Sequence, residues 1–404
     1  MTTSGAAGPL AGVRVLEFAG MGPGPFAVMM LADMGAEVVR VDRLGGRAGA
    51  ARQSSGTARP GAGPAGRAGA PVANQLHRGR RSVAVDLKNP AAIEVVLRLV
   101  TDADVLVEGF RPGAMERLGL GPDACAQVNP RLVYARVTGW GQDGPYARLA
   151  GHDINYISVA GALDPVGRAG GPPVPPLNLV GDYGGGGMLA AFGVACALVE
   201  ARQSGKGQVV DAAMTDGAAV LTTALHWMRA AGTWRDERGT NRLDSGAHFY
   251  DVYETADGRY VSVGAIEPRF YAELRRVLGL TDPKWDRQND RAAWPGLKAD
   301  LAAIFATKTR DEWVRVFADA KADACFAPVL SPGEAPADPH NAARGTFATR
   351  DGVTFPAPAP RLSRTPAAAG GPPPAAGQDT DAVLRDWGFD DNAIAELRAA
   401  GAIG

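Results

Sequence analysis

Near its start the chain runs from Val13–Phe18, an apolar stretch of strand pattern, into Gly20-Met21-Gly22-Pro23-Gly24-Pro25. A helical pattern follows from Phe26 to Met34, with Gly35 placed to end it. Glu37–Val41 reads as a second strand and stops at Asp42. Strand, tight turn, helix and strand in that order leave few choices, because the crossover places the two strands parallel with the helix on one face. The alternation continues: Ala91–Thr101 and Pro122–Val128 read as helices, Val105–Glu108 and Leu132–Val137 as strands. Further on, Met188–Arg202 is a helical run and Gln208–Ala213 a strand. The fold class expected is α/β, a large Rossmann-like domain on a parallel sheet.

Two stretches break the alternation. Gly45 to Asn74 is rich in Gly, Ala and Pro, carries Arg47, Arg52, Arg59 and Arg67, and holds no acidic residue. Without periodicity it reads as a mobile insertion. Thr365 to Gly377 is an Ala/Gly/Pro linker before a last amphipathic helix, Thr380–Ala400. From about His226 the character changes, and Tyr250–Glu254 and Tyr260–Val263 flank an Asp257-Gly258 hairpin turn. The expected organisation is a large domain over 1–225, a smaller α+β domain over 226–330, and a return to the large domain over 331–404.

Composition narrows the function classes. With 404 residues, 46% hydrophobic and 21% charged, the chain has the balance of a globular protein with more than one domain. Lys plus Arg (42) against Asp plus Glu (43) argues against a general nucleic-acid binder. Cys125, Cys196 and Cys325 are too scattered for a disulfide framework or a zinc knuckle and suit a reducing compartment. Met1 to Pro9 lacks a signal-peptide build, and no apolar run was expected to reach the roughly 18 residues of a membrane span. A cytoplasmic protein with no membrane partner and no metal is the expectation.

Gly20-x-Gly22-x-Gly24 after a strand, with Asp42 ending the next one, suggests a dinucleotide site. The signal is weak: Pro25 stands where the third glycine belongs, and Pro23 and Pro25 remove N–H groups a pyrophosphate would need. The plainer reading is a strand-to-helix turn in which Pro25 starts the helix. More informative is Gly151-His152-Asp153-Ile154-Asn155-Tyr156, followed by Asn178-Leu179-Val180-Gly181-Asp182 and Gly184 to Gly187. His152 lies at an element boundary. Asp182 before four glycines reads either as a helix cap or as a group where backbone closely approaches a substrate. Glu267, before Pro268 at a strand end, is either a solvated carboxylate or a site residue. Spacing does not bring these three together.

Longer strings do identify a family. GHDINY (151–156), PPLNLVGDYGGGG (175–187), GKGQVVDAAM (205–214) and VGAIEP (263–268) resemble the alpha-methylacyl-CoA racemases, a branch of the class III (formyl-CoA transferase-like, CaiB/BaiF) CoA-transferase family. The resemblance runs from Pro9 to about Arg364. It implies a two-domain α/β fold, an interlocked homodimer, and inversion at the α-carbon of a 2-methylacyl-CoA. His152 and Asp182 match the family's acid/base pair, and Glu267 the carboxylate that orients the histidine. Enolate stabilisation is implied at the backbone N–H groups of the Asp182 turn. Coenzyme A, arriving with the substrate, is implied to meet Arg43, Val85, Asp86, Leu87, Lys88, Gly109, Phe110, Arg111 and Arg117, together with Gly151, Asp153, Ile154, Asn155 and Tyr156. No redox cofactor is implied. The alternative within the family is a CoA-transferase in which Asp182 is the nucleophile.

Two departures stand out. The 45–74 insertion has a shorter counterpart in the family. The methionine-rich acyl surface is reduced, around 214–234, to Met214 and Met228 among Thr222, Thr223 and His226.

Overall fold

The computed structural model describes residues 8–45 and 74–404. The expected 45–74 insertion thus lies, apart from its two end residues, outside the described residues. Two compact units emerge. One gathers the described residues up to Ala160, then Leu177–Leu221 and Gly345–Gly404; the other holds Gly161–Pro176 and Thr222–Arg344.

The first unit is the expected α/β domain. Strands β1 (Arg14–Phe18), β2 (Glu37–Arg43), β3 (Arg80–Val85), β4 (Val105–Glu108), β5 (Val133–Thr138) and β6 (Val209–Ala213) form one sheet in the order β3-β2-β1-β4-β5-β6. Every pairing in it is parallel. Helices cover both faces, so β4 and β5 are buried at every position, including Glu108 and Arg136, which pair with each other. On one face α2 (Pro90–Thr101), the short α3 (Ala114–Arg117) and α4 (Pro122–Val128) pack around Leu16, Val39, Val83 and Leu106. On the other, α1 (Pro23–Asp33) and α6 (Leu189–Ser204) cover Val15, Val38, Val105 and Val133.

Helix α1 starts three residues before the sequence suggested. Pro23, rather than Pro25, stands at its first position, and both prolines fit the first turn, whose N–H groups need no helical partner. The run expected from Met188 also begins earlier. A π-helix, Leu179–Met188, follows α5 (Asp153–Val159) in the sheet domain and passes directly into α6. Its wide turns bring Gly185 against α7 (Met214–Leu221). A Cβ on Gly217 of α7 would fall 1.9 Å from the Gly185 carbonyl oxygen, so this crossing needs bare backbone on both sides. Taken together, Leu179–Ser204 has the length and apolar composition to cross a membrane, which the sequence reading missed; half of its apolar window is buried within the protein, as in a core helix.

The second unit holds α8 (Thr223–Ala230), then an antiparallel sheet of β7 (Tyr250–Glu254), β8 (Tyr260–Gly264) and a short third strand. The β7–β8 hairpin turns at Gly258, whose φ is 68°. Helices α9 (Pro268–Leu278), α10 (Trp294–Phe305) and α11 (Arg310–Asp319) pack on this sheet around Phe249, Tyr253, Tyr271, Trp285 and Phe305. β9 (Phe326–Pro328) pairs with β8, and α12 (Pro339–Arg344) closes the unit. The chain then returns to the first unit through the hairpin β10 (Phe347–Arg350) and β11 (Val353–Pro356). The single C-terminal helix expected over 380–400 is two, α13 (Thr380–Asp386) and α14 (Asp391–Ala399). Gly388, with φ of 85°, breaks the run, and the Asp390 side chain caps α14 by accepting from the Ala393 N–H.

Candidate active site

A parallel sheet in this order reverses direction between β1 and β4, and the loops leaving the carboxyl ends of those strands separate there into a crevice. A cleft of about 330 Å³ occupies that position. Gly20 and Met21 from the loop after β1, Gly109 to Arg111 after β4, and Gly139 and Trp140 after β5 line it, with His152 and Tyr156 beside them. Its floor carries a buried ion pair: Arg80 meets Glu17 and also donates to the Pro25 carbonyl. Asp42, the position a dinucleotide's ribose would use, is held by Arg40 at 2.7 Å and the Ser82 hydroxyl at 2.5 Å. Those bonds, with the two prolines, fit the weak standing of the dinucleotide signal.

His152 stands at the N-cap of α5 in extended backbone, exposed. Its N–H donates to Asn155 Oδ1 at 3.0 Å, so Asn155 secures the turn that presents the imidazole. Tyr156, one turn on, is buried and packs edge-on against Trp140, with centroids 4.8 Å apart. Its ring fills the space over Gly139, where a Cβ would come within 2.1 Å of it.

Asp182 is half-buried on the π-helix. It is not the helix cap the sequence allowed; the helix begins at Leu179, and Asn178 flanks it. π-Helical segments often occur at functional sites, because they re-aim a side chain within a continuous helix. Asn178 Nδ2 donates to Asp182 Oδ2 at 3.2 Å, and the Asp182 N–H donates to Asp153 Oδ2 at 2.7 Å. Burial pushes the Asp182 carboxyl above its usual range. The Asn178 hydrogen bond opposes that shift, the Asp153 charge adds to it, and His152 opposes it. Asp182 and His152 therefore lie close enough to sense each other's charge. Of the four glycines after Asp182, Gly185, Gly186 and Gly187 are buried against neighbouring helices, and only Gly184 is partly exposed. The Asp182 N–H expected to steady an enolate is already engaged by Asp153.

The residues matched to coenzyme A all follow strand ends or lie on the adjoining helices. Arg43 ends β2 and Lys88 follows β3, both exposed. Val85 is fully buried, and its carbonyl accepts from the Leu44 N–H, so its side chain belongs to the core. Asp86 Oδ1 accepts from the Lys88 N–H at 3.1 Å and closes that turn, while Leu87 packs on the core. Gly109, Phe110 and Arg111 line the cleft, and Arg117 is exposed on α3. Gly151 lines the cleft too. Asp153 is buried, with its carboxylate turned to the Asp182 backbone, whereas Ile154 is exposed. Glu267 belongs to the second unit, exposed at the N-cap of α9. There its charge, after burial, helps push the Cys325 thiol up.

Sequence reasoning missed Glu108. It is buried at the end of β4, accepts from the Phe110 N–H at 2.7 Å and pairs with Arg136 at 3.0 Å, anchoring the 109–111 loop. Burial raises its pKa above the usual range. A carboxylate ending an otherwise apolar strand was its visible signal. Asn178, four residues before Asp182, was also passed over; that spacing places it one helical turn away.

Comparison with known proteins follows the same lines. Residues 10–380 match CoA-transferase family III. The chain is 46% identical over 393 residues to the alpha-methylacyl-CoA racemase of Mus musculus, covering 96% of each chain. It is 43% identical over 392 residues to the Homo sapiens protein of the same name, again covering 96% of each. Its fold is similar to that in the crystal structure of a CaiB/BaiF family protein from Brucella suis, with a TM-score of 0.78 and 25% identity over 94% of this chain and 100% of that one. A family model matched over residues 10–380 and relatives 46% and 43% identical along nearly the whole length make this chain a member of CoA-transferase family III.

Proposed function

We propose that the protein is a 2-methylacyl-CoA racemase, inverting the α-carbon of an acyl-CoA thioester through an enolate. High identity along nearly the whole chain to proteins named alpha-methylacyl-CoA racemase supports the substrate class. The observation that carries the reaction is that His152 starts α5 and the next residue, Asp153, accepts the Asp182 N–H at 2.7 Å, so the two groups stand on adjoining elements, with burial raising the Asp182 carboxyl. A thioester's α-proton is weakly acidic, so its removal needs a base on one face, and inversion needs an acid on the other. A neutral imidazole and a carboxylic acid serve one direction; imidazolium and carboxylate serve the reverse. Family resemblance assigns Glu267 the role of orienting His152 and its tautomer.

Proton transfer of this kind requires neither metal nor redox group, and coenzyme A enters with the substrate. The glycine-lined cleft and the exposed Arg43, Lys88, Arg111 and Arg117 suit its phosphates. Exposed Met188, Phe192, Val220 and Leu221 on α6 and α7 and at the helix junction support a homodimer. Three free cysteines suit a cytoplasmic setting.

The test is NMR of one chiral 2-methylacyl-CoA in deuterated water with no other acid present. Deuterium should enter the α-position and the opposite enantiomer should accumulate. Exchange or turnover that appears only after a second carboxylic acid is added would instead assign Asp182 as a transferase nucleophile.

A further inference from the structure

We propose that the Asp153 side chain is a positioning residue that ties the two proton-transfer groups into one frame, holding the Asp182 backbone from the residue next to His152. The inference rests on the racemase reading for the meaning of that frame. Its geometry stands apart from that reading.

Asp153 is only 6% exposed, an expensive place for a carboxylate. Its Oδ2 accepts from the Asp182 N–H at 2.7 Å, and its Oδ1 has no hydrogen-bond partner. An acidic residue in the first turn of α5 is favourable in itself, but that does not explain why the carboxylate reaches a different helix. The π-helix makes room for it. A Cβ on Gly181 would lie 2.6 Å from Asp153 Oδ2, so glycine at 181 is what lets the carboxylate close on the Asp182 N–H. A buried carboxylate with one oxygen unsatisfied is tolerated where its position does work.

Position also brings charge. The groups acting on Asp182 are Asp153 and His152 at the start of α5 and Asn178 on the approach to its own helix. Tyr156 of α5 feels the Asp182 charge in turn. From α7, Asp216 acts on Asp211; α1 offers Asp182 the Gly22 backbone at its start. Among the described residues Asp153 is therefore the acidic neighbour acting on Asp182, and its charge adds to the upward shift that burial causes.

Two variants test this, Asp153→Asn and Gly181→Ala, each read by ¹³C-carboxyl NMR titration of Asp182 and by kcat and KM for α-proton exchange against pH. The amide of Asp153→Asn can still accept the Asp182 N–H but has lost the charge. The Asp182 titration should move down, and kcat should fall about 10- to 100-fold with little change in KM. Gly181→Ala should push the carboxylate away and produce a similar loss of kcat. Wild-type kcat and pH profile in both Asp153→Asn and Gly181→Ala would overturn the proposal. So would a raised KM with unchanged kcat, the signature of a coenzyme A contact. Absence of exchange in the unmodified protein would sink the racemase reading alone, since the NMR titration would still decide the role of Asp153.

Discussion

The two units build their cores from different materials. The first stacks mostly Val, Leu and Ala under helices on both faces, with Phe18, Tyr134, Trp387 and Phe389 as its few core aromatics. The second packs Phe249, Tyr253, Tyr271, Trp285, Trp294, Phe305, Trp313 and Phe317 around three strands. A parallel sheet covered on both sides needs short branched side chains that layer closely. A small sheet buried on one face, as the alternating burial of β7 shows, gains its stability from fewer and larger groups. The consequence is a division of polar residues. Both units bury paired polar groups, Arg80 with Glu17 in the first and His248 Nε2 with the Tyr271 hydroxyl at 2.8 Å in the second, but the first also sets Arg111 and His152 beside the cleft beyond its strand ends.

If that division holds, chemistry in the first unit is separable from its fold. His152 is exposed, so His152→Ala should lower racemisation by about 10²- to 10⁴-fold while the thermal melt changes little. Circular dichroism with α-proton exchange on one preparation checks it. A melt that falls together with activity would show that the loop supports the sheet, and would break the comparison.

The opposite is expected of the aromatic core. Phe305 is fully buried, stacks on Tyr253 at 5.2 Å and meets Trp313 edge-on at 5.2 Å. Phe305→Ala should cost about 3–5 kcal/mol through the cavity it leaves. Near-UV circular dichroism should weaken, because several stacked rings lose their fixed environment. A stable variant with an unchanged near-UV spectrum would mean the unit is held by something other than its rings.

The same contrast explains what could be read in advance. Strands such as Val105–Glu108 were legible to the residue, because a buried parallel strand is a short uninterrupted apolar run bounded by breakers. Helix ends set by packing were not. Leu179–Met188 contains five glycines and an aspartate, a poor helix by propensity, yet it winds as a π-helix, with Gly185 against bare backbone on α7. The C-terminal break at Gly388 was visible as a glycine but was outweighed by the amphipathic pattern around it. At the site, residue types identified His152 and Asp182 through family strings, whereas the Asp153–Asp182 bond joins separate elements and has no signature in spacing. Glu108 was missed for the same reason: its partners, Phe110 and Arg136, include one from a neighbouring strand.

The smallest expected effect separates the two units through their histidines. His248 in the second unit is held down to about 4 by burial, with Lys298 adding to it. His77 in the first is also lowered to about 4, by burial and then by Arg80 and Arg40. Each has one ring nitrogen, Nδ1, without a partner. A folded pKa below the unfolded value of about 6.5 means the unfolded chain binds more protons between those limits. Their contribution is therefore fully present above pH 6.5 and is lost as pH falls toward 4. His248→Gln and His77→Gln should each flatten part of that slope in urea melts taken across the range. High salt should leave both dependences largely in place, because Arg80 and Arg40 are buried near His77 while Phe249, Tyr271 and Trp285 enclose His248. An unaltered slope in His248→Gln would show that the aromatic core tolerates a charged imidazole, and the second unit would then be no more closed to protons than the first.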